Sequence, residues 1–268
     1  MGGGSASAIF SLLEKGIVPR LMCLVARIAS EGERMGMRVF LVGGTVRDLL
    51  MRRDLVDVDI VVEGDAISLG RSVSELTGRR IVEYGKFGTC TLLAPEKGGG
   101  SRAPGEIRID MATAREETYS SPGAYPDVRP AGIREDLKRR DFTINAMAFG
   151  LGREEHGPFI DLYGGVDDID RGIIRVLHDK SFVDDPIRIL RAVRFEQRFS
   201  FQIEPLTEKL IREAASAGAL STTRPSRVRE EVTFMVAENL RKECFIRLRD
   251  LLGDDMAVIW KIIGEEEF

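Results

Sequence analysis

The stretch "LVGGTVRDLLMRRDLVDVDIVVEGD", residues 41–65, decides how the rest of the chain is read. An apolar run, "RVFLV" at 38–42, meets Gly43-Gly44, a pair that permits a tight turn. Thr45 and Asp48 have the S/T-x-x-D spacing of a helix N-terminus, which predicts a helix from Val46. "VDVDIVV" at 56–62 then reads as a strand. Alternate strand residues share a face, so Asp57, Asp59 and Val61 point one way, and Val58, Ile60 and Val62 point into the core. Two like charges side by side repel, and burying them unpaired is costly. A bare D-x-D most often decorates a solvent-facing edge strand. This one follows a glycine turn and a helix start, where backbone N–H groups cradle phosphate. A hard divalent cation is the simplest remedy for the repulsion. Mg²⁺ takes one or two protein carboxylates and completes its shell with substrate phosphates. In "IRIDMAT" (107–113), Asp110 shares a face with Arg108 while Ile107 and Ile109 face the core, which makes Asp110 a candidate third ligand. Three carboxylates on adjacent strands can hold two metals roughly 3.5–4 Å apart, a geometry suited to in-line phosphoryl or nucleotidyl transfer.

The remaining composition bounds the answer. At 268 residues the chain is long enough for two compact units. A hydrophobic content of 43% with 31% charged residues is that of a soluble globular protein. The net charge of -4 excludes a protein that coats RNA by charge alone, while leaving room for a local basic face. Cys23, Cys90 and Cys244 have no metal-ligand spacing and suit a reducing, cytoplasmic setting. With only His156 and His178 in the chain, a histidine-built zinc site is disfavoured. No apolar run approaches the roughly 18 residues of a membrane span, so no membrane partner is expected.

Organisation follows from periodicity. Residues 1–37 read as a small-residue tail, "MGGGSAS", and an amphipathic helix over 17–38 with Leu21, Leu24, Val25 and Ile28 on one side. Residues 38–180 read as an α/β head. A helix at 66–78 ends at a glycine, strands follow at 80–84 and 89–94, and "EKGGGSRAPGE" (96–106) reads as a hairpin loop. Residues 115–135, with Pro122, Gly123, Pro126, Pro130 and Gly132, read as one long irregular loop. From 181 to 268 strand signals stop, and helices are predicted over 205–217, 226–238 and 239–252. Trp260 reads as packing.

"LVGGTVRDLL" followed by "DVDIVV" resembles the head of the class II tRNA nucleotidyltransferases (CCA-adding enzymes) and bacterial poly(A) polymerases, of the DNA polymerase beta-like superfamily. "RIDMATAREETY" (108–119), "EDLKRRDFTINAMAFG" (135–150), "DLYGGVDDIDRGIIRVL" (161–177) and "SFVDDPIRILRAVRF" (181–195) continue the resemblance in order. It implies an α/β polymerase beta-like head with a mixed β-sheet, followed by an all-helical neck that recognises the nucleotide. It implies Asp57, Asp59 and Asp110 as catalytic metal ligands for Mg²⁺. Gly44 and Arg47 would contact the triphosphate, with Gly43 allowing the turn. Arg140 would bind the nucleotide, with Asp141 and Asn145 shaping the same wall. Asp185 and Arg188 would hydrogen-bond the base edge, and Arg191 and Arg194 would reach the triphosphate. Asp184 stands where the family usually has Glu.

The last block also has its own logic. Pro186 suits a helix's first turn, and Asp184 and Asp185 complement the positive helix end. A lone i, i+3 Asp/Arg pair is usually a surface ion pair. A carboxylate acceptor beside a guanidinium donor also fits an exocyclic amine next to a ring nitrogen. ATP and CTP share that pattern, and GTP and UTP present the reverse. With that edge, the resemblance implies a tRNA 3′ end, ATP and CTP as the expected partners. The reaction is addition of C and/or A, with CC-only, A-only and poly(A) addition as neighbouring readings. A non-catalytic nucleotide- or RNA-binding module is a further one. Family members normally continue with further helices, so a C-terminal region beyond residue 268 or a partner subunit is expected to supply RNA grip.

Overall fold

The computed structural model describes residues 19–55, 57–93, 108–118, 126–152 and 159–264, with the backbone alone for 19–22. The described residues fall into two compact units. The first takes those up to Glu116 with Val128–Arg140 and Ile144–Val166, and the second takes those within 117–127, Asp141–Thr143 and those from Asp167 onward.

The first unit begins with helix α1 (Pro19–Arg34), strand β1 (Arg38–Val42), helix α2 (Gly43–Leu50) and strand β2 (Asp57–Glu63). Helix α3 (Ala66–Thr77), β3 (Arg80–Tyr84), a 3₁₀ turn (Gly85–Phe87), β4 (Thr89–Leu93) and β5 (Arg108–Thr113) follow. α1 buries Leu24, Val25 and Ile28, the stripe its periodicity predicts. α3 is closed at both ends by its own sequence. The Asp65 carboxylate accepts from the Ile67 and Ser68 N–H groups at 3.0 and 3.1 Å, and Gly78 takes the left-handed conformation at φ +66°.

Two elements depart from expectation here. α2 starts at Gly43 rather than Val46, with extended Val42 as the residue before it and no side-chain cap. Thr45 lies inside the helix, and its hydroxyl accepts from the Asp59 N–H at 2.7 Å instead of capping. The region 115–135 is not one irregular loop. It holds β6 (Arg115–Thr118), β7 (Asp127–Pro130) and the start of helix α4 (Ile133–Lys138). Strands of four residues are too short for periodicity to reveal among prolines and glycines. The glycine-rich run 96–106 lies outside the described residues.

With β8 (Met147–Leu151) and β9 (Phe159–Asp161), the head strands form a seven-stranded sheet in the order β3-β4-β5-β2-β1-β8-β9. β2 and β5 run parallel, and every other neighbouring pair in this sheet is antiparallel. The sheet is thus mixed, as expected. Val58, Ile60 and Val62 are buried on one face. Val61, on the carboxylate face, is buried too. It belongs to a second core of Phe40, Val42, Ala114, Ile133, Leu137 and Ala148. The carboxylate face of β2 is therefore closed at Val61, with Asp57 exposed and Asp59 half-buried on one side of it.

Helix α5 (Gly165–Arg171) leads into the second unit. β10 (Ile173–Ile174), α6 (Ser181–Asp184), α7 (Ile187–Phe199), β11 (Gln202–Ile203), α8 (Pro205–Ser216), α9 (Pro225–Ala237), α10 (Arg241–Leu252) and α11 (Met256–Ile263) follow. Strand signals do not stop at 181, since β10 and β11 pair in parallel across α7. Two-residue strands leave no period to read. Asp141–Thr143 joins this unit through its side chains. Phe142 is fully buried edge-on against Phe195, with ring centroids 5.9 Å apart, and Thr143 Oγ1 donates to Asp168 at 2.7 Å. Trp260 packs on Phe245 at 5.3 Å. Among the described residues, no helix is long and apolar enough to cross a membrane.

Candidate active site

The parallel pairing of β2 with β5 sets Asp59 opposite Asp110 and Asp57 opposite Arg108. One strand thus offers two carboxylates on one face, and its neighbour offers a third at the same level. Asp57 is exposed and Asp59 and Asp110 are half-buried. Burial pushes the Asp59 carboxyl above the usual carboxylate range, the charges of Asp110 and Asp57 add to the shift, and Arg140 and Arg47 oppose it. Asp110 Oδ1 accepts from Thr91 Oγ1 at 2.5 Å and from Arg108 Nε at 3.0 Å. Among the described residues, no three His, Cys, Asp or Glu side chains close around a single point. The set still fits a hard divalent cation, which needs only one or two protein carboxylates when phosphates complete its shell. Asp57 and Asp59 are the residues that would hold it, with Asp110 beside them.

The turn beside these acids is built for close approach. Gly43 has φ +59°, and a Cβ placed there would lie 2.5 Å from Arg140 Nη1. A Cβ on Gly44 would lie 3.4 Å from Arg47 Nη2 and 3.5 Å from Asp59 Oδ2. Arg47 is only 4% exposed, and its guanidinium donates to Asn145 Oδ1 at 2.5 Å and Asp48 Oδ1 at 2.9 Å. Asn145 therefore orients Arg47.

Arg140 is positioned by a residue that sequence reading passed over. Asp136, 0% exposed, accepts on Oδ2 from Arg140 Nε and Nη2 at 3.3 and 2.9 Å. Its Oδ1 accepts from Arg139 Nε and Nη2 at 3.0 and 2.7 Å and from the Arg115 N–H at 3.3 Å. Burial works against ionisation of Asp136, but Arg140 and Arg139 outweigh it and hold the carboxyl below its ordinary value. The signal was present in "EDLKRR", an acid three and four residues before two arginines at the end of a helix.

In the second unit, Pro186 precedes α7 as its N-cap residue rather than sitting in its first turn, and Asp185 makes no side-chain cap. Both Asp185 oxygens accept from Arg227 of α9, at 2.7 and 2.9 Å. Arg188 is 5% exposed, donates to Ser181 Oγ at 2.8 Å, and has its Nε 3.9 Å from Asp185 Oδ2. Asp141 accepts from Arg191 Nε and Nη2 at 2.9 and 2.6 Å, and Arg191 Nη1 reaches Glu231 at 3.1 Å. Burial lowers the Arg191 pKa, but Asp141 and Glu231 more than reverse this, so it stays charged. Arg194 is buried, with Nε on Glu231 at 2.8 Å and Nη1 on Glu238 at 2.9 Å. These pairs hold Arg194 of α7 against Glu231 of α9 and Glu238 just after it. Arg227, Glu231 and Glu238 were invisible to sequence reading, because charged residues in an amphipathic helix look like a solvated face.

Carboxylates alternating on one strand, answered by a third on the parallel neighbour and flanked by a glycine helix start, are the architecture of a DNA polymerase beta-like nucleotidyltransferase head. Comparison with known proteins narrows this. Residues 39–175 match the family described as Poly A polymerase head domain, and the chain belongs to that family. It is 42% identical over 215 residues to the A-adding tRNA nucleotidyltransferase of Aquifex aeolicus (strain VF5), covering 80% of this chain and 24% of that protein. Among solved structures it resembles a CCA-adding enzyme in its apo form II, with a TM-score of 0.84 and 39% identity, covering 94% of this chain and 57% of that one. It also resembles the Thermotoga maritima CCA-adding enzyme complexed with tRNA, with a TM-score of 0.79 and 38% identity, covering 94% and 55%. The chain therefore spans between a quarter and about three fifths of these relatives.

Proposed function

We propose that this chain carries the catalytic head and neck of a template-independent tRNA nucleotidyltransferase that adds C and/or A to the 3′ end from CTP and ATP. The observation that supports it most is the register of β2 on β5, which sets Asp59 opposite Asp110 with Asp57 on the same face. Mg²⁺, held by Asp57 and Asp59 with Asp110, would lower the pKa of the attacking hydroxyl and balance charge on the phosphates. The protein's own part is orientation. The Gly43-Gly44 helix start and Arg47 receive the triphosphate, and Arg140, fixed by Asp136, lines its path. Asp141 holds Arg191 and Asn145 holds Arg47, so each acts through an arginine. Asp185 and Arg188 read the base edge that ATP and CTP share.

The A. aeolicus relative favours addition of A alone as the second reading. One experiment addresses both. The chain is incubated with Mg²⁺, labelled CTP or ATP, and tRNAs ending before CCA, CA or A, and the 3′ ends are sequenced. Label from both nucleotides supports CCA addition, and label from ATP only, on tRNA ending in CC, supports A addition. Binding of nucleotide without transfer to any end would leave a non-catalytic module.

A further inference from the structure

Nucleotidyl transfer needs an acceptor end as well as a nucleotide, and the sheet order of the first unit indicates where that end lies. In-line displacement puts the attacking oxygen and the leaving pyrophosphate on opposite sides of phosphorus. The phosphate-receiving turn at Gly43-Gly44 follows β1, on one flank of β2. β5, β4 and β3 lie on the other flank, in that order outward. The acceptor must approach over β5 from the β3 edge.

That edge carries exposed aromatics. Tyr84, the last residue of β3, is 50% exposed and lines the same 350 Å³ cavity as Asp59 and Asp110. Phe87, three residues on, is 41% exposed, with Lys86 Nζ 5.6 Å from its ring centroid. The turn holding them is anchored. Gly88 is left-handed at φ +58°, the Thr113 N–H donates to its carbonyl at 3.0 Å, and Arg115 Nη1 donates to the Phe87 carbonyl at 3.2 Å. Two aromatic rings left out of the core, one ending β3 and one on the anchored turn after it, with a lysine between them in sequence, suit single-stranded RNA. Bases stack on the rings and phosphates meet the cation.

We propose that Tyr84, with Phe87 and Lys86, is the platform on which the 3′-terminal nucleotides of the RNA acceptor stack, which delivers the terminal hydroxyl to the Asp110 side of the carboxylates. This rests on the nucleotidyltransferase reading above and adds an acceptor subsite to it. Stacking tolerates every base, so the platform would serve ends that change identity as they grow.

The test uses the full chain and a short RNA with 2-aminopurine at its 3′ end, whose fluorescence is quenched on stacking. Binding is titrated, and KM is measured separately for acceptor and for ATP and CTP. Tyr84→Ala should weaken RNA binding about tenfold, raise the acceptor KM in step and reduce the quench, with nucleotide KM held within about twofold. Tyr84→Trp should restore all three. Unchanged acceptor binding in both Tyr84→Ala and Phe87→Ala, in a wild-type chain that transfers, overturns the platform and leaves the proposed function standing. A raised nucleotide KM with the acceptor KM unchanged also overturns it, by giving the ring to the incoming base. A wild-type chain that neither binds RNA ends nor transfers removes the proposed function, and the platform with it.

Discussion

Replacing Asp136 by Asn tests how far one buried charge organises the head. The wild-type carboxylate receives four guanidinium N–H bonds, two from Arg139 and two from Arg140, and a fifth from the Arg115 backbone. Asn keeps the volume but removes the charge, and can accept on one atom only. Breaking a buried ion pair from one side costs about 3–5 kcal/mol. The two arginines keep 18% and 16% of their side-chain surface in solvent, so water recovers part of their loss. The expected destabilisation is therefore about 3 kcal/mol, at the low end of that range. It is read by urea unfolding at pH 7 followed at the head.

The pH dependence has a definite sign. Asp136 has a folded pKa below its unfolded value of about 3.9, so its stabilisation is fully present above that pH and lost as pH falls through the folded value. The gap between wild type and variant should close on acidification and stay constant between pH 6 and 8. Because Arg140 loses its anchor, nucleotide affinity should fall as well. A variant within about 0.5 kcal/mol of wild type at pH 7 would refute the reasoning, since it would assign Asp136 no more than an ordinary surface effect.

The remaining predictions concern the site itself. Asp57→Asn and Asp59→Asn should each abolish transfer. In metal-free buffer at neutral pH, Asp59→Asn should match or exceed wild-type thermal stability, because the folded carboxyl is pushed above its ordinary pKa and its ionised form is penalised. A large loss of stability with activity kept would make these acids structural. Gly43→Ala should cost roughly 1–2 kcal/mol from the left-handed backbone alone and displace Arg140, seen as a higher KM for nucleotide; a silent substitution would contradict the 2.5 Å approach. Arg188→Ala should weaken discrimination against GTP and UTP by roughly 1–3 kcal/mol, measured as ratios of kcat/KM. Unchanged ratios would mean that Arg188 does not read the base.

Much of this was decided along the chain. The alternation of Asp57 and Asp59 against Val58 and Ile60 depends only on the two-residue period of a strand, and burial follows it as far as Ile60. The cap at Asp65 and the stop at Gly78 are local chemistry in the same way. Other features needed the third dimension. Asp110 stands opposite Asp59 because β5 pairs in parallel with β2, which no local pattern in "IRIDMAT" dictates. Thr45 reads as a cap until β2 lies alongside α2 and its hydroxyl meets the Asp59 N–H. Arg194 follows Arg191 at helical spacing, and only folding sets Glu231 and Glu238 against it. Spacing places a charge on a face of its own element. Whether that charge meets a ligand or a buried counter-charge is set by residues dozens of positions away, because only folding brings together groups desolvated enough for their pairing to matter.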